Sequence, residues 1–264
     1  MDGQRMNPFH YHRATSLNEA AQRLSDDQAR LLAGGMTLIP SLKHRLLAVT
    51  ELIDIARLPE LQDIRVEADS VWVGAAVRHH QVATHAELAR ALPALAVLAG
   101  LIGDPQVRAR GTLGGSIANN DPAADYPAAV LALGATVVTT QREIAADDFF
   151  LGMFTTALET GEVIRGVRFP RPEKSAYAKF RHPASGYAMA GVFLADFGAR
   201  GRRVAVTGAT DAVCRWPQAE AAWLAGQTPP PFTHDGLLDD IHAPARYRAH
   251  LTDLMFAQAL QQLR

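Results

Sequence analysis

The sequence predicts an α+β fold assembled from more than one part, and three observations carry that expectation. Near the N-terminus, "ARLLAGG", "MTLIPSLKHRL" and "TELIDI" read in succession as strand, glycine pair, helix and strand, a βαβ-like unit. From Ile64, "IRVEADSVWVGAAV" alternates apolar and polar residues around a turn at "ADS", the pattern of a hairpin. Past Arg171, the runs "AYAKFRH", "YAMAGVFLADF" and "RRVAVTGAT" read as three antiparallel strands, and two helices close the chain.

Taken in order, the first element is a short amphipathic helix in "TSLNEAAQRL". Ser16 and Glu19 have capping-box spacing, and Leu17, Ala20, Ala21 and Leu24 follow on one face. After the βαβ-like unit and the hairpin, "HAELARALPALAVLAGLIG" reads as helical and mostly buried. A helix "AADYPAAVLALG", a strand "ATVVTT" and a strand ending at "EVIRGVRFP" come next. The charged, proline-containing "RPEKS", residues 171–175, is the expected domain boundary. The last two helices are "PQAEAAWLAG" and "YRAHLTDLMFAQALQQL", separated by the proline-rich "GQTPPPFTHDG". The chain has no internal repeat and no low-complexity tail.

Composition narrows the function. With 26 basic and 27 acidic residues the chain carries a net charge of −1, which argues against nucleic acid as the main partner, because phosphate binding needs a basic field. No run approaches the ~20 apolar residues of a membrane span. The beginning "MDGQRMNPFHYHR" has no apolar signal core, so a cytoplasmic location is expected. Cys214 is the one cysteine, which rules out an internal disulfide and any cysteine-ligated iron–sulfur cluster held by this chain alone.

Two glycine pairs are the candidate chemistry. In "AGGMTLIP", residues 33–40, a glycine pair between strand and helix allows a close backbone approach and helix-start amides that favour an anion. A tight strand-to-helix turn explains the same residues. The run is neither a Walker A loop nor the three-glycine dinucleotide fingerprint. The second pair, Gly114 and Gly115, lies in "RGTLGGSIANNDPAADYP", with hydroxyls at Thr112 and Ser116 and amides at Asn119 and Asn120. Asp121 and Pro122 suit a helix cap and first turn, and Asp125 falls close behind. A hairpin with a capped helix accounts for Asp121 and Pro122 but not for so many small polar groups. Two separated glycine loops suit a ligand with two phosphates and a long polar linker, and FAD is such a ligand.

These two runs, with "YHRATSLNEA", "FFLGMFTTALETGEVIRGVRFP" and "VTGATDAVCRWPQAEAAWLAG", resemble the FAD-binding medium subunit of the molybdenum hydroxylases, the carbon monoxide dehydrogenase and xanthine dehydrogenase family. The resemblance covers nearly the whole chain. It implies a two-subdomain FAD-binding fold of the PCMH/vanillyl-alcohol-oxidase-like type, with residues 1–57 and 58–171 holding the flavin. Residues 172–264 would form a C-terminal domain with a three-stranded antiparallel sheet packed on helices.

Carried over by residue, the resemblance implies that Ala33, Gly34, Gly35, Met36, Thr37, Leu38 and Ile39 wrap the FAD pyrophosphate from one side. Thr112, Leu113, Gly114, Gly115 and Ser116 would do so from the other. Asp125 matches the acidic FAD contact, and Ile102, Ile164 and Lys179 match further contacts. Met36 departs from the small or polar residue often found there, and the "TTQREIAADD" turn is shorter than usual. Gly34 and Gly114 are expected at positive φ, where valine would be penalised.

The function implied is electron transfer within a larger enzyme. A molybdopterin-binding large subunit would oxidise the substrate, a small subunit would relay electrons through [2Fe-2S] clusters, and this FAD would pass them to an external acceptor. The assembly expected is a dimer of heterotrimers. Two other readings stay open, a stand-alone FAD-dependent oxidoreductase and a flavin-free assembly protein. His79, His80 and His85 lack the carboxylate or cysteine spacing of a metal site. Trp72, Trp216 and Trp223 read as packing, Cys214 as an ordinary thiol, and Tyr187 as a strand aromatic that the family's architecture would bring toward the isoalloxazine.

Overall fold

The computed structural model describes residues 6–263; residues 1–5 of the first expected subdomain and residue 264 of the last lie outside them. The first sheet is parallel, with strands β1 (His10–Arg13), β2 (Ala29–Leu32) and β3 (Glu51–Asp54) in the order β1-β3-β2. Helices α1 (Leu17–Arg23) and α2 (Leu38–Lys43) make the crossovers. Ser16 caps α1, its hydroxyl accepting from the Glu19 amide at 3.2 Å, while the Glu19 carboxylate accepts from the Thr15 amide at 2.7 Å. Strand β1 escapes the sequence pattern because "HYHR" is mostly exposed and shows no apolar alternation. All three strands point the same way, so their carboxyl ends share one edge, the place where ligands bind in parallel sheets.

The second sheet is antiparallel. It contains β4 (Ile64–Val66) and β5 (Ser70–Gly74), the hairpin expected around "ADS", with the Glu67 amide donating to the Ser70 carbonyl at 2.9 Å. Helices α3 (His79–Thr84), α4 (Ala86–Ala91) and α5 (Pro93–Gly100) follow. The single expected helix breaks at Leu92, whose φ of −147° and ψ of 67° lie outside the helical region. Pro93 is the cause: it disfavours helical geometry in the residue before it and starts a new helix itself.

The glycine- and proline-rich stretch contains α6 (Pro105–Arg110) and α7 (Leu113–Asn119), then α8 (Tyr126–Ala132). Asp121 does not cap α8. Its carboxylate accepts from the Ala123 amide at 2.9 Å in a separate turn, and α8 begins only at Tyr126. Strands β6 (Thr136–Thr139) and β7 (Glu143–Ala145), the short helix α9 (Ala146–Phe149) and the small ribbon β8 (Phe150–Gly152) with β9 (Thr155–Thr156) lead to β10 (Ile164–Pro170). The sheet order is β4-β5-β10-β6-β7.

The last sheet has β11 (Lys174–Arg181), β12 (Ala188–Asp196) and β13 (Arg202–Thr207), with a fourth strand, β14 (Cys214–Arg215), of only two residues beside the three expected. Helices α10 (Pro217–Leu224) and α11 (Ala245–Gln262) complete the chain. Eight of the nine residues of β12 are buried, because both faces of this sheet are covered. Tyr177, Phe193, Ala195 and Ala205 join the core that runs through the second sheet. Val192, Leu194, Val204 and Val206 face a second core with Trp216, Met255 and Phe256. Arg203 ties the units together, donating to the Leu131 carbonyl at 2.8 Å and to Asp147 at 2.6 Å. No helix among the described residues is long and apolar enough to cross a membrane.

Candidate functional site

The first glycine motif leaves the carboxyl end of β2 and turns into α2. Gly35 holds φ at +73°, whereas Gly34, Gly114 and Gly115 are not at positive φ. Gly34 is needed for a different reason from the one expected. A Cβ there would lie 2.4 Å from the Arg110 carbonyl oxygen and 2.8 Å from the Gly111 Cα. The two motifs, more than seventy residues apart in sequence, therefore touch backbone to backbone. Among the described residues the amides of Gly34, Gly35, Met36 and Thr37 donate to no protein acceptor. A run of unpaired amides at a glycine turn leaves donors for an anion.

The second motif is built differently. Its glycine pair does not form a loop; Gly114 and Gly115 occupy the first turn of α7, with Thr112 as N-cap. The amides that begin this helix are already used. Leu113 donates to the Val77 carbonyl at 3.1 Å, Gly114 to Ala75 at 2.9 Å, and Gly115 to the Thr112 hydroxyl at 3.2 Å. A Cβ on Gly114 would stand 2.6 Å from the Ala75 Cβ. The second pair thus seats α7 against the segment after β5, and the free donors come from the first.

Between the motifs is a cavity of ≈ 230 Å³ whose walls include Ala33 and Thr112. Four arginines, Arg13, Arg57, Arg78 and Arg110, line it with one carboxylate, Asp54.

A second cluster gathers three expected site positions from distant parts of the chain. Lys179, on β11, reaches Asp125 at 2.9 Å and also donates to the Leu101 carbonyl at 3.1 Å, next to Ile102. The Tyr177 hydroxyl donates to Oδ1 of Asp125 at 2.5 Å. Burial pushes the Asp125 carboxyl above the usual carboxylate range, and the Lys179 charge and the Tyr177 hydroxyl pull against it. Tyr177 is the partner that sequence reasoning missed. Alternation along β11, which puts residues 177 and 179 on one face, was the available signal. Ile102 offers its carbonyl to Arg108 at 2.9 Å, whereas Ile164 is buried in the core at the start of β10. Tyr187 stands 43 % exposed at the end of the β11–β12 loop; burial first, then the charges of Asp121 and Asp125, raise its phenol.

Of the three histidines, His79 lies directly beneath the second motif. Its ring meets the position a Gly111 Cβ would take, its amide donates to the Gly111 carbonyl at 2.9 Å, and its Nδ1 is buried without a partner. His85 caps α4 through Nδ1, at 3.2 Å from the Leu88 amide. Among the described residues no three His, Cys, Asp or Glu side chains converge as a metal site. The Cys214 thiol is pushed up to about 11 by burial, far from thiolate reactivity at neutral pH.

Burial lowers His79 to about 4, with the Arg108 charge adding to it. The unfolded chain takes its proton nearer pH 6.5, so the histidine's contribution to stability is full above that pH and is lost as pH falls toward 4. The loss is about 3 kcal/mol at 1.36 kcal/mol per pH unit. Urea unfolding of the chain and of His79→Leu between pH 7 and pH 4.5 checks this: the wild-type curve should fall more steeply, and parallel curves would contradict it.

Comparison with known proteins agrees with this geometry. Residues 7–172 match the family described as the FAD binding domain in molybdopterin dehydrogenase. The nicotine 6-hydroxylase medium subunit of Paenarthrobacter nicotinovorans is 32% identical, covering 95% of each chain. The carbon monoxide dehydrogenase medium chain of Hydrogenophaga pseudoflava is 40% identical over 69% of this chain and 67% of its own. A solved structure of carbon monoxide dehydrogenase from that organism superimposes with a TM-score of 0.87 at 34% identity, covering 98% of both chains. Quinoline 2-oxidoreductase from Pseudomonas putida 86 gives 0.84 at 30% identity over the same shares. The chain is therefore a flavoprotein subunit of the molybdopterin dehydrogenase family, an oxidoreductase component whose FAD-binding domain spans residues 7–172.

Proposed function

We infer that this chain holds FAD in the cleft between its first two sheets and relays electrons within a cytoplasmic complex. The complex would contain a molybdopterin-binding large subunit and a [2Fe-2S] small subunit, arranged as a dimer of heterotrimers. The observation that carries the reading is the contact of the two glycine motifs at Gly34 and Arg110, with four unpaired amides in the first motif and a cavity lined by Ala33 of that motif and by Arg110 and Thr112 of the other. This donor set fits a diphosphate.

When bound, FAD supplies the redox chemistry, and the chain supplies its binding, orientation and surroundings. Within the 33–39 motif the amides of Gly34, Gly35, Met36 and Thr37 would donate to the diphosphate, and residues 112–116 would wall it from the other motif. Asp125, held by Lys179 and Tyr177, would be a rigid acceptor for the flavin's polar groups, with Ile102 beside it. Ile164 would act from the core beneath the cleft. In this reading residues 1–57 and 58–171 are the two flavin-holding subdomains, and residues 172–264 close the site from the Tyr187 side.

The test compares the purified chain with the reconstituted complex, assayed with dye acceptors and candidate heterocycles or aldehydes. Bound flavin with substrate oxidation only in the complex is expected. Oxidation by the chain alone at the complex's rate would favour a stand-alone oxidoreductase, and a chain without flavin would favour an assembly protein.

A further inference from the structure

We propose that Arg13, Arg57, Arg78 and Arg110 form the electrostatic half of the cofactor site, taking the diphosphate of the dinucleotide in the cavity between the glycine motifs. This rests on the flavin reading above and extends it to residues outside both motifs.

The argument begins with charge. Four guanidinium groups and one carboxylate line the cavity, an excess of three positive charges (four minus one). Asp54 is already engaged, accepting from the Tyr11 hydroxyl at 2.5 Å and from the Ala56 amide at 2.9 Å. Arg13 approaches it only to 4.0 Å. Among the described residues, Arg57, Arg78 and Arg110 make no ion pair. Other arginines of this chain are paired with carboxylates, as Arg215 with Glu220 at 2.5 Å and Arg168 with Glu143 at 3.0 Å, or donate to backbone carbonyls, as Arg108 to Ile102 at 2.9 Å. Uncompensated arginines gathered around one cavity repel each other unless an anion joins them, and the planar guanidinium suits phosphate oxygens.

Position and size identify the anion. Ala33 opens the first motif and Thr112 caps the helix of the second, so the cavity is continuous with both. The arginines come from both sides of the cleft. Arg13 ends β1 and Arg57 lies just past β3, while Arg78 precedes α3 and Arg110 ends α6. A volume of ≈ 230 Å³ is below the roughly 300 Å³ at which pockets for whole drug-sized ligands begin. It accommodates the phosphate-bearing middle of a dinucleotide, with the rings extending beyond. The arrangement predicts that phosphate, not the flavin ring, supplies much of the binding, and that ionic strength weakens it.

The flavin-free full chain and its Arg57→Gln/Arg78→Gln variant test this by titration with FAD, ADP and riboflavin. Both side chains are exposed and unpaired, so the variant should melt with the wild type. The expected result is a loss of FAD and ADP affinity of about ten-fold per arginine, with riboflavin unaffected and a flatter salt dependence. Unchanged FAD and ADP affinities with an unchanged salt response would overturn the arginine assignment and leave the flavin reading standing. Equal losses for riboflavin and ADP would also overturn it, since the arginines would then act through the fold. Failure of the wild-type chain to bind FAD at all would overturn the flavin reading itself.

Discussion

Gly34→Val is expected to yield a folded chain that no longer retains FAD. The first atom of the new side chain would sit 2.4 Å from the Arg110 carbonyl oxygen, and neither partner is a flexible side-chain tip that can swing aside. Relief requires the first motif to move off the loop between α6 and α7, which opens the cleft and separates the unpaired amides from Thr112. Overpacking of this kind costs about 1–3 kcal/mol of stability, and cofactor affinity should fall by about 100-fold, the loss of about two hydrogen bonds to a charged group at about 1.5 kcal/mol each. Gly35→Ala is the control. Its Cβ would meet only the ends of Ile39 and Leu32, each at 3.1 Å, so the penalty is mainly that of φ at +73°, about 1–2 kcal/mol. Flavin absorbance per chain and thermal melting separate the two. Full flavin occupancy in Gly34→Val would show that contact between the motifs is dispensable.

Lys179→Met is expected to destabilise the chain by about 3–5 kcal/mol, because it leaves a buried carboxylate without its cation. The side chain of Lys179 is 0% exposed and that of Asp125 3%. The same ammonium also holds the Leu101 carbonyl, so its loss loosens β11 from the end of α5. Asp125→Asn retains an acceptor for the Tyr177 hydroxyl. The double variant should therefore be more stable than the sum of the single losses implies, with a coupling of about 1–3 kcal/mol. Urea unfolding of the four proteins gives these values. A cost below about 1 kcal/mol for Lys179→Met would mean that the pair contributes as little as an exposed one.

The misread elements share a cause. Strand β1 and helix α6 bury almost nothing, so they carry no periodic apolar signal. For α6 a local cue existed. Asp104 accepts from the Val107 amide at 2.7 Å ahead of Pro105, a cap and first turn hidden within the glycine-rich run. Strand β14 consists of two residues defined only by their pairing with β13. The hairpin around "ADS" and the Ser16 cap were legible because turns and caps are settled by neighbours in sequence.

The sequence by itself determined the α+β class, the βαβ unit at the start, the two glycine motifs and the family they resemble. These depend on local chemistry: which backbone angles glycine and proline permit, which side chains cap a helix, and which spacing buries one face. Only the tertiary structure decided why each glycine is there. Gly35 alone of the four adopts a positive φ, Gly34 admits Arg110, and Gly114 admits Ala75. It also placed Lys179 against Asp125 across 54 residues, His79 beneath Gly111, and four arginines around one cavity. Close approach between distant backbones and the pairing of buried charges depend on how whole elements pack, and no local pattern in the chain records those distances.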